Sequence, residues 1–98
     1  MYQIEYTLEA VADLKSLKKS EQGAILDAID VQLRYEPTVE TRNRKQMRPN
    51  AIAQWELRIG QFRVLYNVET AVRVVDVRRI GKKQRNLYLF RGQQEDLQ

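Results

Sequence analysis

WELRIGQFRVLYNV, residues 55 to 68, is the stretch on which the fold turns. Two runs of alternating apolar and polar residues flank Gly60-Gln61, the pattern of a hairpin with a two-residue loop. Gly at the first loop position suits the turn type that such loops prefer. The register then follows: Ile59 faces Phe62, Arg58 faces Arg63, Leu57 faces Val64 and Trp55 faces Tyr66. Successive side chains alternate between the faces of a strand. Trp55, Leu57, Ile59, Phe62, Val64 and Tyr66 therefore share one face, and Glu56, Arg58, Arg63 and Leu65 the other. Like charges opposite each other on paired strands are unfavourable. The Arg58–Arg63 pair thus calls for an anion.

Outward from this hairpin, the chain reads as one compact α+β domain over residues 1–92, with a flexible C-terminal tail at 93–98. Tyr2, Ile4 and Tyr6 alternate with Gln3 and Glu5, which predicts an N-terminal strand. Thr7 is placed to cap a helix with Glu9 in its first turn, and Val11, Leu14, Leu17 and Lys18 recur at helical spacing. Ser20 is read as the cap of a second helix whose apolar face is Ala24, Ile25, Ala28, Ile29 and Leu33, stopped before Pro37. These stripes are too narrow to bury only each other, so the helical hairpin should cover one face of a sheet. The segment 38–54 reads as a surface connection with at most a short helical turn. After the two central strands, the sequence around 72–81 supplies the third strand of an antiparallel meander. Val72, Val74, Val75, Val77 and Ile80 break strict alternation there, as in a strand with both faces partly covered.

Composition removes several kinds of chemistry. The chain has no cysteine, hence no disulfide framework and no thiolate zinc site, and no histidine, the commonest metal ligand and acid–base group. No apolar run approaches the roughly 18 residues of a membrane span. The N-terminus lacks the order of a signal peptide, so a cytoplasmic setting is expected. No metal or other cofactor is expected.

The formal net charge of +4 conceals an asymmetry. Residues 1–40 carry four basic and eight acidic side chains, a net of −4; residues 41–92 carry thirteen basic and three acidic ones, a net of +10. A half this basic suits nucleic acid or an acidic protein partner, against the plain alternative of a solvated charged surface.

The order of strand, two helices and a meander ending in Gly plus basic residues and a tyrosine resembles the RelE/ParE superfamily of bacterial toxins. WELRIGQFRVLYNV and RRIGKKQRNLY at 78–88 carry the resemblance, which extends over essentially the whole chain. RelE-type members cut messenger RNA on the ribosome; ParE-type members share the fold and inhibit DNA gyrase. Both are held inactive by a cognate antitoxin. The resemblance implies a ribosome-dependent endoribonuclease acting on messenger RNA, without metal. The alternatives are a gyrase inhibitor or an RNA-binding homologue without catalysis. It places Arg58 and Arg63 among the basic residues of the middle strands, Lys83 at the general-acid position and Tyr88 at the base-stacking tyrosine. Two positions depart from RelE: Glu56 stands where RelE has a strand lysine, and Tyr88 lies one residue closer to Gly81. The expected partner is an antitoxin with an acidic toxin-binding segment.

RNA cleavage by its own 2′-hydroxyl needs a base, an acid and cations on the phosphate. Arginine suits the last role because its fork binds two phosphate oxygens. Glu56 shares the face of Arg58 and Arg63. It is either the base, ionised and weak beside two arginines, or simply their counter-ion. Lys83 is the acid candidate. Tyr88 is open between rim packing and RNA stacking. Arg42, Arg44, Lys45 and Arg48, with Lys82 and Arg85, are the candidate RNA contacts; the first four also read as an antitoxin-facing or solvated loop. Arg73, Arg78 and Arg79 are left unassigned.

Overall fold

The structure is a computed structural model that describes residues 1–95 and Leu97. An N-terminal strand β1 (Gln3–Tyr6) leads into helices α1 (Leu8–Lys15) and α2 (Lys19–Leu33). The strands β2 (Arg44–Gln46), β3 (Trp55–Ile59), β4 (Phe62–Glu69), β5 (Val74–Gln84), β6 (Leu87–Phe90) and β7 (Gln93–Glu95) follow. They form one sheet in the order β2-β3-β4-β5-β6-β7, with antiparallel neighbours, and β1 pairs in parallel with the first half of β5.

The central hairpin has the expected register throughout, including Arg58 opposite Arg63, and Gly60 takes the φ of +57° that its turn requires. Thr7 caps α1 as expected: its hydroxyl accepts from Ala10 N–H at 3.1 Å. The second helix starts earlier than expected. Lys18 is its cap residue, and Glu21 reaches back to accept from the Lys18 N–H at 3.2 Å, so Ser20 lies inside the first turn. Ile25, Ile29 and Leu33 of α2 and Ala10 of α1 pack on Trp55, Leu57, Val64, Tyr66, Val75, Val77 and Ile80. The helices thus cover one sheet face, and Tyr66 donates to the Pro37 carbonyl at 2.8 Å beneath them.

Two further expectations change. Part of the connection at 38–54 is strand β2, held on β3; its RKQ sequence has no apolar alternation to announce it. Gln93–Glu95, expected in a frayed tail, pair with β6, while Asp96 and Gln98 lie outside the described residues. The broken alternation of the third strand has two causes. A register shift opposite Leu65/Tyr66 leaves Arg78 as an extra residue, which moves the core face from Val75 and Val77 to Ile80. The opposite face also has a small apolar cluster of its own, Ala53, Leu65 and Phe90.

Candidate functional site

The face of the sheet away from the helices carries the polar set. Alternation puts Glu56 and Arg58 there from β3 and Arg63 from β4, and after the bulge the same phase brings Gly81 and Lys83 from β5. Tyr88 of β6 lies opposite Lys83. Gly81 is dictated by packing: a Cβ there would collide with the Leu89 carbonyl and come within 2.6 Å of the Phe90 ring.

Glu56 is the centre of this set. Its residue is only 3 % exposed. The Arg58 Nε donates to its Oε2 at 2.7 Å, the Tyr88 hydroxyl donates to its Oε1, and the Arg63 Nε stands 3.8 Å from Oε1. The anion that the facing arginines call for is therefore internal. Burial by itself would raise the Glu56 pKa, but the hydrogen bonds from Tyr88 and Arg58 and the charges of Arg58 and Lys83 outweigh it, leaving the carboxyl below its ordinary value. Glu56 is ionised at neutral pH. Tyr88 shows the reverse: burial, and then the bond to Glu56, push its pKa far up, so it remains a neutral donor. The Lys83 ammonium sits over the Tyr88 ring, 5.0 Å from its centre.

A cleft of about 360 Å³ opens over this group, and its walls include Lys45, Arg48, Glu56, Arg58, Lys83 and Tyr88. Arg63 stands behind it. Its Nη1 donates to the carbonyls of Gly60 and Phe62 at 2.7 and 2.8 Å, and its buried Nε has no hydrogen-bond partner among the described residues. Arg58 is far more open, its side chain 43 % exposed against 15 % for Arg63.

The other basic candidates divide. Lys45 and Arg48 line the cleft. Arg44 does not: it is buried and donates to the Val39 and Gln32 carbonyls at 2.9 and 2.7 Å, tying β2 to the end of α2. Lys82 alternates to the other face, over the Phe62 ring. Arg42 and Arg85 are exposed outside the cleft, Arg85 at the β5–β6 turn with φ of +50°. Among the described residues, no group of three or more His, Cys, Asp or Glu side chains is gathered as a metal site would need.

A family model, the ParE toxin of type II toxin–antitoxin systems, matches residues 4–87. The chain belongs to that family. No curated protein sequence matches it. Among solved structures, this ParE-family toxin is similar to a chain of the RelBE2 toxin–antitoxin complex of Mycobacterium tuberculosis, with TM-score 0.72 and 24% identity over 84% of this chain and 98% of that one. It is also similar to a chain of the archaeal RelE–RelB complex of Pyrococcus horikoshii, with TM-score 0.69 and 23% identity over 86% and 97%. A chain of the intact E. coli RelBE complex gives TM-score 0.60 and 18% identity over 87% and 100%. At these identities the likeness is one of fold, and it fits the RelE-like α+β plan. The toxin thus belongs to the RelE/ParE superfamily. Among the described residues, no helix is long and apolar enough to cross a membrane.

One wall of the ParE-family toxin's cleft escaped sequence reading. The Asn50 side chain accepts from the N–H groups of Ile52 and Ala53 at 2.8 and 3.0 Å and donates to the carbonyls of Arg48 and Ala53. These bonds set the loop that carries Arg48 beside the cleft. The available signal was Asn directly after Pro49, a pair that favours turns closed by the Asn side chain.

Proposed function

We propose that this toxin is an endoribonuclease that cuts messenger RNA on the ribosome and so stops translation. The observation that carries the reading is the convergence of Glu56, Arg58, Lys83 and Tyr88 on one cleft, with Arg63 against Glu56 from behind. A phosphodiester entering the cleft meets Arg58 first, and Lys45 and Arg48 extend the positive wall along the backbone. Arg58 and Lys83 stabilise charge on the reacting phosphate, a contribution on the order of 100- to 1000-fold per donor. The 2′-hydroxyl takes the place of Tyr88 at Oε1 of Glu56, which receives its proton. Lys83 protonates the leaving 5′-oxygen. Tyr88, released from Glu56, offers its ring to a neighbouring base. Glu56 is a weak base, held below its ordinary pKa, and the chemistry is correspondingly dependent on the ribosome to order the substrate.

The partner that fits is an antitoxin whose toxin-binding segment is acidic; the three similar structures are toxin–antitoxin complexes. Charge pairing with the basic half would speed association and make it sensitive to salt.

A second reading, inhibition of DNA gyrase, is favoured by the ParE description of the matching family. In that case the basic surface makes protein contacts and Glu56 is only a counter-ion. Toeprinting of ribosomes on a defined message with purified toxin, run beside a gyrase supercoiling assay, separates the two. Cuts in the message with supercoiling intact are expected. Loss of supercoiling with uncut message would overturn the nuclease reading.

A further inference from the structure

Asp13 of α1 is buried, its side chain inaccessible to solvent, and it has no part in the chemistry proposed above. It sits where β5 changes neighbours. On one side β5 pairs with β4 along most of its length; on the other it pairs with β1 at residues 74–77 and with β6 at residues 82–84. Between those stretches, side chains from the α1 end of the molecule complete the ladder. The Thr7 hydroxyl donates to the Arg78 carbonyl at 2.9 Å, and the Ile80 N–H donates to Asp13 Oδ2 at 3.0 Å. The same carboxylate receives Arg79 twice, at 2.7 and 3.2 Å, and the Arg91 Nε at 3.1 Å.

Both arginines lead to the C-terminal hairpin. Arg91 opens the β6–β7 turn with φ of +51°, and its Nη2 also meets Glu9 at 2.5 Å. Arg79 reaches Glu95 of β7 at 3.0 Å and lies over the Phe90 ring, 4.3 Å from its centre. Phe90 in turn stacks on Tyr88, the rings 6.2 Å apart and 13° from parallel. A continuous set of contacts therefore runs from Asp13 through Arg79 and Phe90 to the tyrosine that bonds Glu56.

We propose that Asp13 is a positioning residue: by holding Arg79 and Arg91 it fixes the β6–β7 hairpin so that the Tyr88 hydroxyl meets Glu56. Deleting the charge leaves an amide that can still accept from Ile80 N–H but no longer neutralises two guanidinium groups. The hairpin then loosens while the rest of the sheet stays closed. The consequence for cleavage rests on the nuclease reading; the positioning itself does not.

The test uses the whole protein without RNA. In Asp13→Asn, hydrogen exchange of the amides in 88–95 should quicken at least ten-fold relative to those of β3 and β4. The Glu56 carboxyl, followed by carbon NMR, should titrate at a higher pH as its Tyr88 bond is lost. Should Asp13→Asn fail to fold, Arg91→Gln gives the same two readouts with the same signs. Unchanged hairpin protection, an equal rise in exchange over the whole chain, or an unmoved Glu56 titration would each overturn the proposal. On programmed ribosomes, the cleavage defects of Asp13→Asn and Tyr88→Phe should be less than multiplicative; full multiplicativity would contradict action through Tyr88. Should the ribosomal assay show no cleavage by the unaltered toxin, the two RNA-free readouts still decide the matter.

Discussion

Two buried carboxylates in this protein each hold two arginines, and they differ in how completely they are satisfied. Asp13 takes four donors, one of them a backbone N–H, and none of its side chain reaches solvent. Among the described residues, Glu56 takes two hydrogen bonds; its second arginine stands back at 3.8 Å with an Nε that has no hydrogen-bond partner there, and its first is half exposed in a cleft. A buried polar set that is fully paired rigidifies, whereas one left partly paired at an open surface can exchange partners. The same residue types thus make a closed network at one place and an open one, the proposed site, at the other. The closed set fixes the elements around it; in the proposed function the open set receives a phosphate at Arg58 while Glu56 exchanges its Tyr88 partner for the 2′-hydroxyl.

The contrast breaks most visibly at the closed network. Asp13→Ala leaves the Ile80 N–H unpaired and the largely buried Arg79 guanidinium with only Glu95 as its acidic partner, and should cost about 3–5 kcal/mol of stability, measured by urea unfolding. A loss below about 1 kcal/mol would mean that the network is ornamental. The seam between the closed and open networks comes next. Gly81→Ala forces a methyl against the Leu89 backbone and the Phe90 ring, and should destabilise by about 1–3 kcal/mol through overpacking while loosening β6 from β5. Wild-type stability with unchanged exchange of the β6 amides would count against the tight packing on which the Tyr88 position depends.

The smallest effect is in the pH dependence of the open set. The folded-state pKa of Glu56 lies below the ordinary 4.5, so its contribution to stability is present above that pH and is lost as pH falls through the depressed folded value. Glu56→Gln should therefore flatten the acid limb of the stability curve below about pH 4.5 and leave its neutral part with little slope change. An acid limb as steep as in the unaltered protein would show that Glu56 is not held by its neighbours in solution.

Much of this was legible in the sequence, for particular reasons. The β3–β4 register followed from period-two alternation around Gly60, and with it the placement of Glu56, Arg58 and Arg63 on one face. Lys83 and Tyr88 stand out only through the resemblance of the C-terminal segment; their pairing is not legible, since the extra residue at Arg78 hides the phase change that brings Lys83 to that face. Strand β2 was illegible because Arg44, Lys45 and Gln46 carry no apolar signal, and Arg44 looked like a surface contact although it is committed to α2. Asp13 does not stand out in the sequence, because a carboxylate on a helix is normally solvated. Its position three residues after the buried Ala10, beside the apolar Leu14, was the clue that it faces inward.

The most direct measurement is the rate of message cleavage on programmed ribosomes by Arg58→Ala, with its melting temperature taken alongside. Loss of the Arg58 side chain takes one of two hydrogen bonds from the buried Glu56 carboxylate, so the variant should melt at a lower temperature yet stay folded under assay conditions, and cleavage should slow by on the order of 100-fold or more. An Arg58→Ala toxin that is folded and cuts at the full rate would contradict the assignment of this cleft as the site of phosphodiester cleavage.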